Sequence, residues 1–136
     1  MDLLKVARKV MADFDVKDYD AIVVRSSSAL KFIDVTGDVI GVNGLKKWLS
    51  WWHAVMNDCQ VHSLVVALEG ANRVRYDFLV DGTHTGSIQG EKPSGKKATN
   101  LRFHMVHDFD AAGLIVGGAI YYDHHAMLTA FGVQGG

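Results

Sequence analysis

The chain holds one cysteine, Cys59, and one proline, Pro93. A lone cysteine closes no internal disulfide and offers no cluster for a structural zinc, so a reducing compartment such as the cytoplasm is the expected setting. A thiol nucleophile is not expected either: Cys59 has His62 three residues on, but an isolated cysteine in apolar surroundings behaves as a small hydrophobe. No run reaches the ~18 consecutive apolar residues of a membrane-spanning helix. The N-terminal MDLLKVARKVMADF is broken by charge every few residues, unlike a signal-peptide core. Charge of one sign is missing too: 14 basic and 15 acidic residues leave a formal net charge of -1, with no basic tract to recruit phosphates or anionic lipid. Neither a nucleic acid nor a membrane is an expected partner. The phosphate-cradling loops GxGxxG and GxxxxGK[ST] are absent, as are internal repeats and low-complexity tracts.

What is present is core material: 49% of the 136 residues are hydrophobic, enough for one domain spanning residues 1–136. Leu3, Leu4, Ala7, Val10, Met11 and Phe14 recur at helical spacing and predict an amphipathic helix over residues 2–14. Tyr19, Ile22, Val23 and Leu30 continue an apolar helical face, and Ser26, Ser27 and Ser28 read as a helix end or turn, with no GxSxG elbow around them. Lys31–Val35 reads as a short strand entering a glycine-rich hairpin, with Asp34 at its mouth. From Gly44 a second long helix carries Leu45, Trp48, Leu49, Trp52 and Met56 on one stripe. Its indoles either fill core or line a cavity for a flat ligand.

After Cys59 come four strands joined by turns: VHSLVVALEG, RVRYDFLVDGTHTG, TNLRFHMVHDF and GLIVGGAIYY. Helices first and then an antiparallel meander predict an α+β fold, with helices laid on one face of a curved sheet.

Alternation decides which polar groups meet. Val74, Tyr76, Phe78 and Val80 share one face of their strand, and Arg75, Asp77 and Asp81 the other. Leu101, Phe103, Met105, His107 and Phe109 are inward, which makes His107 the polar exception among them, while Arg102 and His104 point out. The last strand is apolar on both faces. If Gly117, Ala119, Tyr121 and Asp123 face inward, Tyr121 and Asp123 approach His107, and Ile120 joins Leu79 on the outer surface. A carboxylate, an imidazole and a phenol at one end would support general acid–base catalysis, and the small Gly117, Gly118 and Ala119 would leave room for a ligand or a packed helix. The competing reading makes Asp123 the N-cap of a closing helix, with His124 and His125 in its first turn. His62, His84 and His107 follow no metal-ligand spacing, so no metal is expected.

In their order, GVNGL opening a long helix, VRYDFLVDGTHTG, a loop ending SGKKAT, the DAAG hairpin and the terminal YYDHHAMLTAFG resemble the SnoaL-like polyketide cyclases of the nuclear-transport-factor-2-like superfamily, over nearly the whole chain. The resemblance implies a cone-shaped α+β fold around a pocket for a hydrophobic ligand, a cofactor-free cyclase, isomerase or dehydratase reaction on a carbonyl-bearing polyketide or terpenoid, and a homodimer. It implies Asp123 and His107 as catalytic groups. Phe14, Trp52, Phe78, Met105 and Tyr121 would wall the pocket, and His84, in the GTHTG motif, would touch substrate. Against the related ketosteroid isomerases, Asp34 matches the catalytic base, but Met11 and Met105 stand where the oxyanion donors would be, which disfavours that particular reaction. Epoxide hydrolysis ranks lower, because Arg75 and Arg102 face outward. A non-catalytic binding or dimerisation module of the same fold is the alternative.

Overall fold

The structure, a computed structural model, describes residues 2–133. The Asp2 carboxylate accepts the Lys5 backbone N–H and starts α1 (Leu3–Asp15), whose buried stripe is Ala7, Val10 and Met11. Asp18 caps α2 (Tyr19–Val24) in the same way. The chain then turns at once into β1 (Ser26–Ile33), so the three serines are strand residues and Leu30 is a buried strand side chain rather than part of a helix face. Serine has little strand preference of its own; backbone pairing with the last strand, Ser26 opposite Ile115, overrides it. A turn at Gly37 leads to the short β2 (Val39–Ile40), which closes the expected hairpin, and α3 (Val42–Val55) follows.

The meander forms as the alternation predicts, as β3 (Gln60–Leu68), β4 (Arg73–Thr83), β5 (Lys97–Phe109) and β6 (Ile115–Tyr122). Val74, Tyr76, Phe78 and Val80 are buried on β4, and Phe103, Met105, His107 and Phe109 on β5. The strand order is β2-β1-β6-β5-β4-β3 in one curled, open sheet. Every neighbouring pair is antiparallel except β1 and β6, which run parallel, so the sheet is mixed. The helices gather on its inner side: α1 packs on β3 and β4, and α3 on β1 and β2. The short α4 (His124–Ala130) closes the chain against β5. Among the described residues no helix is long and apolar enough to cross a membrane.

The register of β6 corrects one expectation. Phe103 pairs with Tyr122, Met105 with Ile120 and His107 with Gly118, so Gly118, Ile120 and Tyr122 face inward, while beyond a register shift Ile115 pairs with Phe109 and is buried. Tyr121 therefore pairs with the outward His104 and is 55% exposed, while Ile120, expected outside, is buried.

Candidate functional site

Helices and curled sheet do not fill the space between them. They leave a cleft open to solvent, about 710 Å³ of atom-free space with its mouth and the adjoining solvent included. Phe14, Trp52, Phe78 and Met105 line it, together with Trp48, Met11 and His107. The lining is almost wholly apolar; among the described residues on it, the side chains with a nitrogen or oxygen are those of His107, Ser26, Trp48 and Trp52. Ser26 spends its hydroxyl hydrogen on the Ile22 carbonyl at 3.0 Å. Cys59 also borders the cavity, and burial pushes its thiol pKa up to about 12, so it stays a neutral thiol.

His107 stands near the C-terminal end of β5, two residues before Phe109. Its Nδ1 lies 2.9 Å from the hydroxyl of Tyr76, a residue with no exposed surface. The rings of Tyr76 and Phe32 meet the imidazole edge-on, at 5.0 Å and 5.6 Å between centroids. No described group hydrogen-bonds Nε2. Burial pulls the imidazole pKa down to about 4, against a weaker opposing pull from Asp108, so His107 is neutral at physiological pH.

The two candidate carboxylates, Asp123, expected beside it, and Asp34, expected at the mouth of a strand, are separated from it to different degrees. Phe32 pairs with Gly118, the residue opposite His107. Asp34, half-buried and just past the end of β1, lies two residues beyond Phe32, about 7 Å of extended chain, and two strands across the sheet from His107. It is held there by Trp48, whose indole N–H donates to Asp34 Oδ2 at 3.0 Å. Its charge also reaches Tyr122, whose hydroxyl pKa is raised first by burial and then by Asp34. Asp123 lies five residues beyond Gly118, roughly 16 Å of strand from the His107 level. It is exposed, and its Oδ1 accepts the Ala126 N–H at 2.9 Å as the N-cap of α4. The expected cluster of Tyr121, Asp123 and His107 therefore does not form. Asp123→Ala is expected to cost about 1 kcal/mol in urea denaturation, and Asp123→Asn, which keeps a good capping oxygen, distinctly less.

His84, expected at the pocket, is elsewhere. It is fully buried, stacks on Phe131 at 4.9 Å, and its Nδ1 accepts the Ser94 N–H at 3.1 Å, stapling the 84–96 loop. Three pairings had no sequence signal beyond residue type: Tyr76 with His107, Trp48 with Asp34, and Tyr19 with His53. In the last, the Tyr19 hydroxyl is 2.6 Å from His53 Nδ1, and the His53 ring lies tilted against Phe14 at 4.5 Å between centroids. Among the described residues, no three His, Cys, Asp or Glu side chains group as metal ligands.

Several solved structures share this architecture. A candidate SnoaL-like polyketide cyclase from Jannaschia superposes with a TM-score of 0.86 at 14% identity, over 98% of this chain and 93% of that one. A candidate polyketide cyclase from Xanthomonas campestris does so at 0.85 and 17%, over 95% and 96%. This is a SnoaL-like fold. AclR, a candidate hydroxylase from Streptomyces galilaeus, has the same SnoaL-like architecture, at 0.79 and 18%, over 96% of this chain and 81% of that one. No protein-family model and no curated sequence matches the chain. Since neighbours on one fold carry different reaction names, the reaction has to be argued from the site.

Proposed function

We propose that this chain is a cofactor-free proton-transfer enzyme of the cyclase or isomerase type, acting on a small, neutral, hydrophobic ketone or aldehyde. The observation that carries the reading is one neutral imidazole in an almost wholly apolar cavity, with the Asp34 carboxylate just past the end of β1, two strands across the sheet. The carbonyl oxygen accepts from His107. Asp34 takes a proton from the adjacent carbon, and the electron pair moves onto the oxygen, where the imidazole N–H stabilises it in a low-dielectric site. In an isomerisation of a β,γ-unsaturated ketone the electron pair is shared over a dienolate, and the proton returns from Asp34 to the γ-carbon, moving the double bond into conjugation. In an aldol closure the enolate carbon attacks a second carbonyl, and the Asp34 proton goes to the new alkoxide. Atoms and electrons balance without an oxidant or reductant. The SnoaL-like cyclase neighbours support this class of chemistry. The terminal Asp123 is assigned no step.

One observation favours a second reading, a binding module without catalysis: among the described residues no carboxylate lines the cavity itself. Deuterium uptake by 2-decalone, an apolar bicyclic ketone, separates the two. With the wild-type protein in D2O, α-proton exchange followed by NMR is expected to run above the buffer rate, and Asp34→Asn to slow the protein-dependent part at least ~10-fold. Binding of the ketone with no accelerated exchange would leave the binding module as the answer. Equal exchange in wild type and Asp34→Asn would remove Asp34 from the mechanism.

A further inference from the structure

Tyr76 has no exposed surface, and its hydroxyl has one hydrogen-bond partner among the described residues, His107 Nδ1 at 2.9 Å. Burial raises the phenol's pKa far above neutrality, so the hydroxyl keeps its hydrogen. A buried donor left without an acceptor is costly, and here the acceptor within reach is Nδ1. If Nδ1 instead carried the ring proton and donated to the phenol oxygen, the phenol hydrogen would be stranded. In a neutral imidazole whose Nδ1 accepts, the proton sits on Nε2. That nitrogen belongs to a cavity-lining residue and has no described partner. Among the described residues no charged group hydrogen-bonds the ring. Asp108, next in sequence, faces out and is bound by Arg73 at 2.7 Å, and Lys31, opposite Gly117, is exposed.

We propose that Tyr76 is a positioning residue that fixes His107 as the Nε2–H tautomer, making the cavity a receptor for neutral ligands that present one hydrogen-bond acceptor, a ketone or aldehyde oxygen above all. The rest of the lining agrees with this. The other lining residues with a ring N–H, Trp48 and Trp52, can only donate, and Trp48 has already given its hydrogen to Asp34. A carboxylate or ammonium ligand would enter an apolar space with no counter-charge among the described residues of its lining. The inference rests on the cavity being the ligand site, as in the reading above, but not on any reaction taking place there.

Histidine-ring 15N–1H correlation spectra of the free protein at pH 7 read the tautomer directly, and no variant is needed for that step. Wild type is expected to show His107 protonated at Nε2 and to bind 2-decalone about tenfold more tightly than decalin, its hydrocarbon counterpart. In Tyr76→Phe, which keeps the ring, the His107 signal is expected to move toward a mixture of tautomers. The ketone-over-decalin preference should shrink at least threefold while decalin affinity stays unchanged. A wild-type Nδ1–H tautomer overturns the proposal, as does a wild type that holds the ketone no better than decalin. So does a Tyr76→Phe protein with the wild-type tautomer and preference. An Nε2–H tautomer with ketone preference but no α-proton exchange keeps this inference and removes the catalytic reading alone.

Discussion

Replacing Gly118 by alanine is expected to lower the free energy of unfolding by about 3 kcal/mol or more, whereas the same change at its neighbour Gly117 should stay within about 1 kcal/mol. A Cβ at Gly118 would lie 2.1 Å from the Val106 carbonyl oxygen and 3.2 Å from the His107 Cα. Those are backbone atoms of the paired strand, held by the β5–β6 ladder, and they cannot swing aside as a side chain would. The residue also has φ +151°, a conformation that side chains rarely adopt. At Gly117 the nearest atoms are at 3.4 Å and 3.7 Å, ordinary contact, and the backbone is not in the positive-φ region. Urea denaturation of the two single variants compares them directly. Equal stability of Gly118→Ala and Gly117→Ala would mean that the two strands do not approach as described. Because Gly118 is paired with His107, its replacement should also displace the imidazole and weaken ketone binding in whatever fraction still folds.

The role of this glycine shows where sequence reading stops. The pair Gly117–Gly118 reads as space beside a ligand, yet the space at Gly118 is taken by the backbone of β5. On β4 and β5 polar and apolar residues alternate, so the inward set, His107 included, can be read directly from the chain. β6 is apolar on both faces. Its phase is set only by its register against β5, and a one-residue change of phase exchanges Tyr121 for Tyr122 and Ile120 for Ala119. That ambiguity accounts for the expected but absent meeting of Tyr121, Asp123 and His107. Asp123 was legible as a cap, because aspartate before a helix has a local partner in the Ala126 N–H. Asp34 was legible as a carboxylate at the mouth of a strand. Its Trp48 partner was not, since that contact depends on how α3 lies across β1. Tyr76 and His107 were each legible as inward-facing. Tyr76 pairs with Met105 and Val74 with His107, so the hydrogen bond between them is diagonal, and no pattern within one strand reports it.

The buried imidazole should also make the protein acid-sensitive in a defined window. In the unfolded chain His107 titrates near 6.5, and in the folded protein near 4, because burial disfavours the charged ring. Above the unfolded value both states hold a neutral ring, and the residue contributes nothing to pH dependence. As the pH falls from about 6.5 to 4, the unfolded chain takes up a proton that the folded chain refuses. Stability is then lost, by about 3 kcal/mol in total from this residue. His107→Gln removes the titration and leaves Tyr76 an amide oxygen to donate to, so the packing around the phenol is disturbed little. His53, whose pKa is lowered by burial and by Lys17, has the same sign of effect, but it is present in both proteins and drops out of their difference. The expected result is therefore a gap between wild type and His107→Gln that changes by about 3 kcal/mol in favour of the variant between pH 7 and pH 4, followed by urea denaturation at each pH. Parallel pH profiles would show that His107 is solvated or paired with charge in the folded protein. The neutral hydrogen-bond donor on which ketone recognition depends would then be absent.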